Sequence, residues 1–325
     1  MSEFKVLRST DDWAAAFGSE RRCSVVSIGN FDGLHLGHQK ILRTVVERAP
    51  AYGALSAAIT FDPHPLKLLR PEKAPRLLQT LEQKVAGFQA LGLNAALVLH
   101  FDSSLAALSP DEFVRRTLFE PLRARLVLVG YSFRFGHKQA GNAALLQQLG
   151  KQFGFEVGIV EPVTIDGDVV SSSVVRAAVA EGRVARAERL LGRPFALTGE
   201  VRRGAGRGST IVVPTLNLVP EQELLPQAGV YATETRVGGR LYRSATNIGV
   251  RPTFDGGALS VESHLFDFSE TVTAGRLEVR FRERLRDEKK FPDAGKLREQ
   301  IALDLDKARN FFKQLDQKAS ASESA

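Results

Sequence analysis

"IGNFDGLHLGH", Ile28 to His38, follows the apolar run "SVVSIG" (Ser24–Gly29) and leads into a helical pattern from Gly37 to Ala51. A buried strand that turns through glycines into a helix is the opening of a parallel α/β unit. The turn holds Gly29, Gly33 and Gly37, two of the chain's six histidines (His35 and His38), and Asn30 and Asp32. Glycine lets backbone approach a bulky anion closely. A helix N-terminus adds unpaired N–H groups and a positive dipole end. The stretch therefore reads as a phosphate cradle for a nucleotide triphosphate, with His35 and His38 donating to phosphate oxygens. As a metal site it lacks a third protein ligand nearby and the HExxH arrangement. A polar strand–helix turn with incidental histidines is the other reading of the local pattern.

Outward from this turn the same alternation continues. "LSAAITF" (Leu55–Phe61), "LNAALVLHF" (Leu93–Phe101), "ARLVLVG" (Ala124–Gly130) and "FEVGIV" (Phe155–Val160) read as buried strands. Helical stretches lie near Gly37–Ala51, Thr80–Leu91, Pro110–Pro121 and Asn142–Phe153, the third opened by Ser109 as N-cap, Pro110 at the first position and Glu112 at the third. Strands alternating with helices predict a parallel sheet with right-handed crossovers, which binds ligands beyond the carboxyl ends of its strands. "SIGNFDG" and "ITFDPHP" both fall at such ends.

From about Phe195 the helical periodicity stops. "TIVVPTLNL", "GVYATETRVGGRLYRSATNIG", "LSVESHLFDF" and "GRLEVRFRERL" read as strands with Gly-rich turns, and "VGGR" (Val237–Arg240) is a hairpin signal. A small antiparallel barrel is expected. A helix is predicted from Pro292 to about Gln314, with Leu297, Ile301, Leu305 and Ala308 on one stripe. The expected organisation is one domain over 1–192, a second over 193–317, and a disordered low-complexity tail over 318–325.

The 325 residues are too many for one ordinary core, and 43% are hydrophobic, which suits globular domains. One cysteine, Cys23, excludes an internal disulfide framework or a cysteine-built zinc site. No N-terminal apolar run resembles a signal peptide and none is long enough to span a bilayer, so a cytoplasmic protein without a membrane partner is expected. The net charge of +7 favours anionic partners. Its arginines are spread along the chain without interleaved aromatics, so no nucleic-acid partner is expected.

"FDGLHLGH" after a first strand resembles the nucleotidyltransferase superfamily. With "TFDPHP" (Thr60–Pro65) it is similar to the bacterial bifunctional riboflavin kinase/FAD synthetase family. The resemblance runs in order through "GYSFRFG" (Gly130–Gly136), "VSSSVVRAAVAEGRVARAERLLGRPF" (Val170–Phe195), "PTLNL" (Pro214–Leu218), "NIGVRPTF" (Asn247–Phe254), "VESHLFDF" (Val261–Phe268) and "LRDEKKF" (Leu285–Phe291). It implies a Rossmann-like nucleotidyltransferase domain that adenylylates FMN, then a riboflavin kinase barrel with a C-terminal helix. ATP, riboflavin and FMN are the implied small-molecule substrates, FAD the product and Mg²⁺ the implied ion.

By that resemblance His35 and His38 neutralise the leaving pyrophosphate, and Asn30 and Asp32, in the same turn, help to fix ATP. Ser172, Ser173 and Arg176 form a second phosphate clamp at a helix start, although the serines also read as ordinary N-caps. Phe61 and His64 lie near the flavin, or form a structural turn. Phe133 and Arg134 offer an aromatic and a cationic face to an isoalloxazine or adenine ring. In the barrel, Thr215 and Asn217 match metal and phosphate contacts, and Glu262 matches the general base, on one strand face with His264, Phe266 and Phe268. Arg207 lies in a glycine-rich loop that covers phosphate or is a solvated basic turn. Two departures stand out. Ser132 replaces the family's usual Asp or Asn, and Val212-Val213 replaces Gly-Phe before Pro214-Thr215. They motivate an alternative, a single-activity FAD synthetase with an altered barrel.

Overall fold

The computed structural model describes residues 3–18, 22–202, 215–250, 259–270, 272 and 274–323. It divides into two compact units, 1–172 and 173–325.

The first unit holds strands β1 (Lys5–Leu7), β2 (Ser24–Ile28), β3 (Leu55–Asp62), β4 (Ala95–His100), β5 (Ala124–Gly130), β6 (Arg134–Phe135), β7 (Gly141–Asn142), β8 (Glu156–Val160), β9 (Thr164–Ile165) and β10 (Asp168–Val169). Its helices are α1 (Thr10–Phe17), α2 (Leu36–Arg48), α3 (Pro65–Leu69), α4 (Leu81–Ala90), α5 (Ser103–Ala107), α6 (Pro110–Phe113) and α7 (Ala143–Phe153). Six strands form one sheet in the order β1-β4-β3-β2-β5-β8, and every pairing in it is parallel. The chain steps from β2 to β3 and β4 on one side, then returns to β5 on the other. The carboxyl end of β2 therefore opens at the point where strand order reverses, the place where such sheets bind ligands.

Alternation along each strand fills both faces of the sheet. Val26, Ile28, Leu97 and Val127 pack against Trp13 and Leu146 on one side. Val25, Ala58 and Val98 pack against Leu42 and Phe88 on the other. The predicted strands and helices are all present. The helix predicted over 110–121 begins as α6 and widens into a π-turn over Val114–Phe119. The edge strand β1 and helix α1, whose Ser9 and Asp12 form a capping box, add to what periodicity alone indicated.

The second unit begins with α8 (Ser172–Ala180), whose first residue belongs to the first unit, and α9 (Val184–Leu191). The texture change near Gly192 lies later than the observed division. Helix α9 accompanies the barrel because Glu188 pairs with Arg282 at 3.0 Å. Strands β11 (Phe195–Arg202), β12 (Leu216–Pro220), β13 (Gly229–Val237), β14 (Arg240–Val250), β15 (Leu259–Leu265) and β16 (Arg276–Asp287) close in the order β11-β12-β15-β14-β13-β16. Leu197, Val279, Phe281 and Ile248 are fully buried. Thr235, Ser244, Thr233, Thr246 and Ser263 extend this interior as a chain of buried hydroxyls 2.6–2.8 Å apart.

Helix α10 (Ala294–Glu323) lies along the barrel. Its Ala308 and Phe312 cover Ala232, Ala245 and Phe266, and its buried Asp304 accepts from Arg286 at 2.7–3.0 Å. The helix runs on to Glu323, through most of the segment expected to be disordered. Once a helix is nucleated, each added residue costs little, and Ala319 and Ala321 favour it. Among the described residues, no helix is long and apolar enough to cross a membrane.

Candidate functional site

The β2–α2 turn is held by its own backbone and by two amides. Leu34 N donates to Phe31 O at 3.2 Å, Gln79 Nε2 donates to Phe31 O at 2.9 Å, and Gln39 Nε2 donates to Leu34 O at 2.9 Å. Phe31, Gly33 and Leu34 all have positive φ. Gly33, at +80°, takes this conformation without the strain a side chain would bring. Gly37 serves differently. A Cβ there would stand 3.1 Å from His35 Cε1, so the glycine makes room for the His35 ring at the border of the cavity described below. A Cβ on Gly29 would likewise crowd the Phe31 ring at 3.2 Å.

His35 is the N-cap of α2, and its Nδ1 accepts from His38 N at 3.4 Å. Nδ1 is thereby an acceptor, which places the neutral ring's proton on Nε2. The His35 and His38 rings stack with centroids 3.6 Å apart. Among the described residues, His38 Nδ1 is buried without a hydrogen-bond partner. Burial, the His35 ring and the Lys84 ammonium hold the His38 pKa well below the ordinary histidine value.

Both histidines border a cavity of about 1120 Å³, lined also by Asn30, Phe61, Phe133, Arg134 and Ser172. The cavity is large enough for a nucleotide and a second ring system. Phe61 meets Phe101 edge to face at 5.6 Å, and Phe133 stacks on Phe135 at 5.4 Å. Arg134 is exposed on β6. His64 caps α3, its Nδ1 accepting from Leu66 N at 3.2 Å, while its Nε2 lies 3.1 Å from Asn30 Nδ2. Ser172 Oγ donates to Asp32 O at 2.8 Å, tying the start of α8 to the turn. Ser132, the first departure, sits exposed on the cavity wall.

Asp32 differs from its expected place at the nucleotide. It is 3% exposed, and its two carboxylate oxygens accept from Leu78 N at 3.0 and 3.3 Å. It braces the turn from behind. Ser173 and Arg176 fall in the second unit, on α8.

On the barrel, Glu262 of β15 stands in register with Asn217 of β12 on one side and Asn247 of β14 on the other. Asn217 is 8% exposed, and Thr215 is exposed just before β12. Of the residues expected on the face of Glu262, His264 shares β15 with it, while Phe266 and Phe268 lie beyond the strand. Strand β15 ends at Leu265, and Phe266 packs under α10 instead. The carboxylate's neighbours in the sheet are two amides. Arg207, Val212 and Val213 lie outside the described residues. Among the described residues no three His, Cys, Asp or Glu side chains converge on a metal position.

Two of these neighbours were not singled out from sequence. Asn247 needed the strand register to be noticed. Lys84 sits within a helical pattern where a lysine ordinarily reads as solvated, and only the packing reveals that it is 8% exposed.

Comparison with known proteins accounts for both units. The FAD synthetase family profile matches residues 18–174, and the riboflavin kinase profile matches residues 191–312. A "Bifunctional riboflavin kinase/FMN adenylyltransferase" of Pseudomonas fluorescens is 38% identical over 291 residues, covering 89% of this chain and 93% of that protein. One of the same name from Haemophilus influenzae is 35% identical over 288 residues, covering 88% and 94%. A crystal structure titled as a macrolide-efflux protein from Streptococcus pneumoniae shares the fold with a TM-score of 0.84, at 28% identity, over 94% of this chain and 99% of that one. With both modules present in order and relatives matched nearly end to end, the chain belongs to the family of bifunctional riboflavin kinase/FMN adenylyltransferases.

Proposed function

We propose that this chain makes FAD from riboflavin in two ATP-dependent steps, one in each unit, acting on small soluble substrates in the cytoplasm. The observation that carries the α/β half is the stacked His35–His38 pair at the N-terminus of α2, opening onto an aromatic-walled cavity. There an oxygen of the FMN phosphate attacks the α-phosphorus of ATP. The bond to the β-phosphate breaks, and pyrophosphate leaves. The nucleophile is supplied by the substrate, so the protein has to align the two phosphates and meet the charge that develops on the leaving group. His35 and His38 do the latter. Gly29, Asn30, Gly33 and Gly37 shape the turn around the triphosphate, with Asp32 as its brace and Ser172 as a further phosphate contact. Phe61, His64, Phe133 and Arg134 supply the faces for the flavin and adenine rings.

In the barrel, Glu262 takes the proton of the ribityl 5′-hydroxyl as that oxygen attacks the γ-phosphorus of ATP, giving FMN and ADP. Asn217, level with Glu262 across the sheet, orients groups at the same point. Thr215 and Asn217 offer hard, neutral oxygen donors, a set that suits Mg²⁺ carried in with ATP phosphates and water rather than a protein-only cage. When bound, the ion would neutralise phosphate charge.

Both modules and the bifunctional names of the relatives favour two activities over a lone FAD synthetase. The test is incubation of the purified full chain with ATP, Mg²⁺ and riboflavin, and separately with FMN, the products being resolved by chromatography. FMN and FAD from the first mixture and FAD from the second are expected. FAD from FMN without FMN from riboflavin would reject the two-step reading.

A further inference from the structure

Both ring nitrogens of His64 face an N–H group. Its Nδ1 accepts from the backbone N–H of Leu66 at 3.2 Å, and its Nε2 lies 3.1 Å from Asn30 Nδ2. A neutral imidazole has one acceptor nitrogen and one N–H, so it cannot accept from both. The Leu66 N–H is fixed in the backbone, where His64 caps α3. Nδ1 is therefore the acceptor, and Nε2 carries the proton. That N–H needs an oxygen opposite it. A side-chain amide can turn over where a backbone cannot, and its orientation is decided by the bonds around it. Asn30 thus meets the ring with Oδ1, which puts its NH2 group at the other end.

Asn30 borders the cavity together with His35 and His38. Its backbone is pinned too, because Thr60 Oγ1, buried in β3, donates to Asn30 O at 3.3 Å. With the backbone and the oxygen end of the amide both held, the remaining end is what a ligand in the cavity meets.

We propose that His64 is a positioning residue for FAD formation: its Nε2–H holds the Asn30 amide by the oxygen, so that the amide turns its NH2 group to the phosphate oxygens of the bound nucleotide.

His64 decides the sign of this contact. Phosphate oxygens are acceptors only. An NH2 group donates to them, and a hydrogen bond to a charged acceptor is among the stronger kinds. A carbonyl oxygen in the same place would set its lone pairs against negative charge. Without the ring's N–H, the incoming nucleotide has to orient the amide itself, which costs affinity. This edge of the ring is separate from the face offered to a flavin.

The inference rests on the cradle reading of the turn, and its test separates the two. The full-length protein, nitrogen-labelled at its histidine rings, is observed by NMR above the titration of the ring. The His64 signals, identified by their loss in His64→Gln, are expected to show a protonated Nε2 and an unprotonated Nδ1. The opposite tautomer overturns the inference, whatever the activity. In FMN adenylylation, His64→Ala should lower kcat/KM for ATP about tenfold, chiefly through KM. His64→Gln, which keeps an N–H at the place of Nε2, should recover part of that loss. In an Asn30→Ala background, His64→Ala should cost nothing further, and losses that multiply overturn the inference. Asn30→Asp still accepts from the ring but turns negative charge on the phosphates. It should therefore fall below Asn30→Ala, and the reverse order overturns the inference. If His64→Ala lacks the thermal transition of the first unit, the cycle is run with His64→Phe, which keeps a ring without nitrogens. FAD formed at the wild-type rate in His35→Ala would overturn the cradle reading and the role of Asn30 with it.

Discussion

His35 and His38 stack with their ring centroids 3.6 Å apart, and the Nδ1 of the first accepts from the backbone N–H of the second. The N-cap of α2 is thus one of the two residues expected to meet phosphate. The same bond that starts the helix also aims the ring. Capping and the proposed contact with phosphate thus fall to one ring, at the end of a turn with positive φ at Phe31 and Leu34.

Acid should weaken this arrangement. His38 has a folded-state pKa below its unfolded value of 6.5, so below about pH 6.5 the unfolded chain binds the extra proton more readily than the folded one. Stability is therefore unaffected by this group at higher pH and is lost as the pH falls through that range. Calorimetry at pH 7.5 and pH 5 should show a smaller loss of melting temperature in His38→Asn than in the wild-type chain. Equal losses would show that His38 does not contribute.

Asp32→Ala should destabilise the first unit by about 1–3 kcal/mol, the usual cost of leaving a buried donor unmatched, here Leu78 N. Denaturant unfolding measures it.

In the second unit, Asp304 is 3% exposed and receives three hydrogen bonds from Arg286. Removing one partner of such a buried pair leaves the other charge uncompensated. Asp304→Ala should cost about 3–5 kcal/mol by that measure and loosen α10, seen as faster hydrogen exchange along the helix.

Glu262→Gln preserves the shape of the side chain but removes the base. Loss of a general base typically costs about 10²–10⁴ in rate. Riboflavin phosphorylation should fall by that order while FMN adenylylation holds. An unchanged kinase rate would remove Glu262 from the role.

The readable part of this protein was the part governed by periodicity. Runs such as "LSAAITF" are apolar on both faces because β3 is buried on both, and of the stripe Leu297, Ile301, Leu305, Ala308 the last two pack with barrel residues Ala232 and Ala245. Strand β11 carries a weaker signal: in "FALTGEVR" the polar Thr198 and the glycine Gly199, both buried, break the alternation that Phe195 and Leu197 begin. At the sites, motif residues were visible but their partners were not. Asp32 looked like a ligand because acidic residues in a glycine turn often are, yet its partner, Leu78 N, is 46 residues away in sequence. Asn247 became a neighbour of Glu262 through register alone. Gly29 and Gly37 line the cavity and also leave room for the Phe31 and His35 rings, a second use that only the packing shows.

The most direct test of the two-site account is His35→Ala in the full-length chain, assayed with ATP and Mg²⁺ on riboflavin and on FMN in parallel. The loss of a group that meets leaving-group charge costs on the order of 10²–10³ in rate. The expected result is that fall, or complete loss, in FAD formation from FMN, with FMN formation from riboflavin unchanged. FAD formed at the wild-type rate would contradict the account.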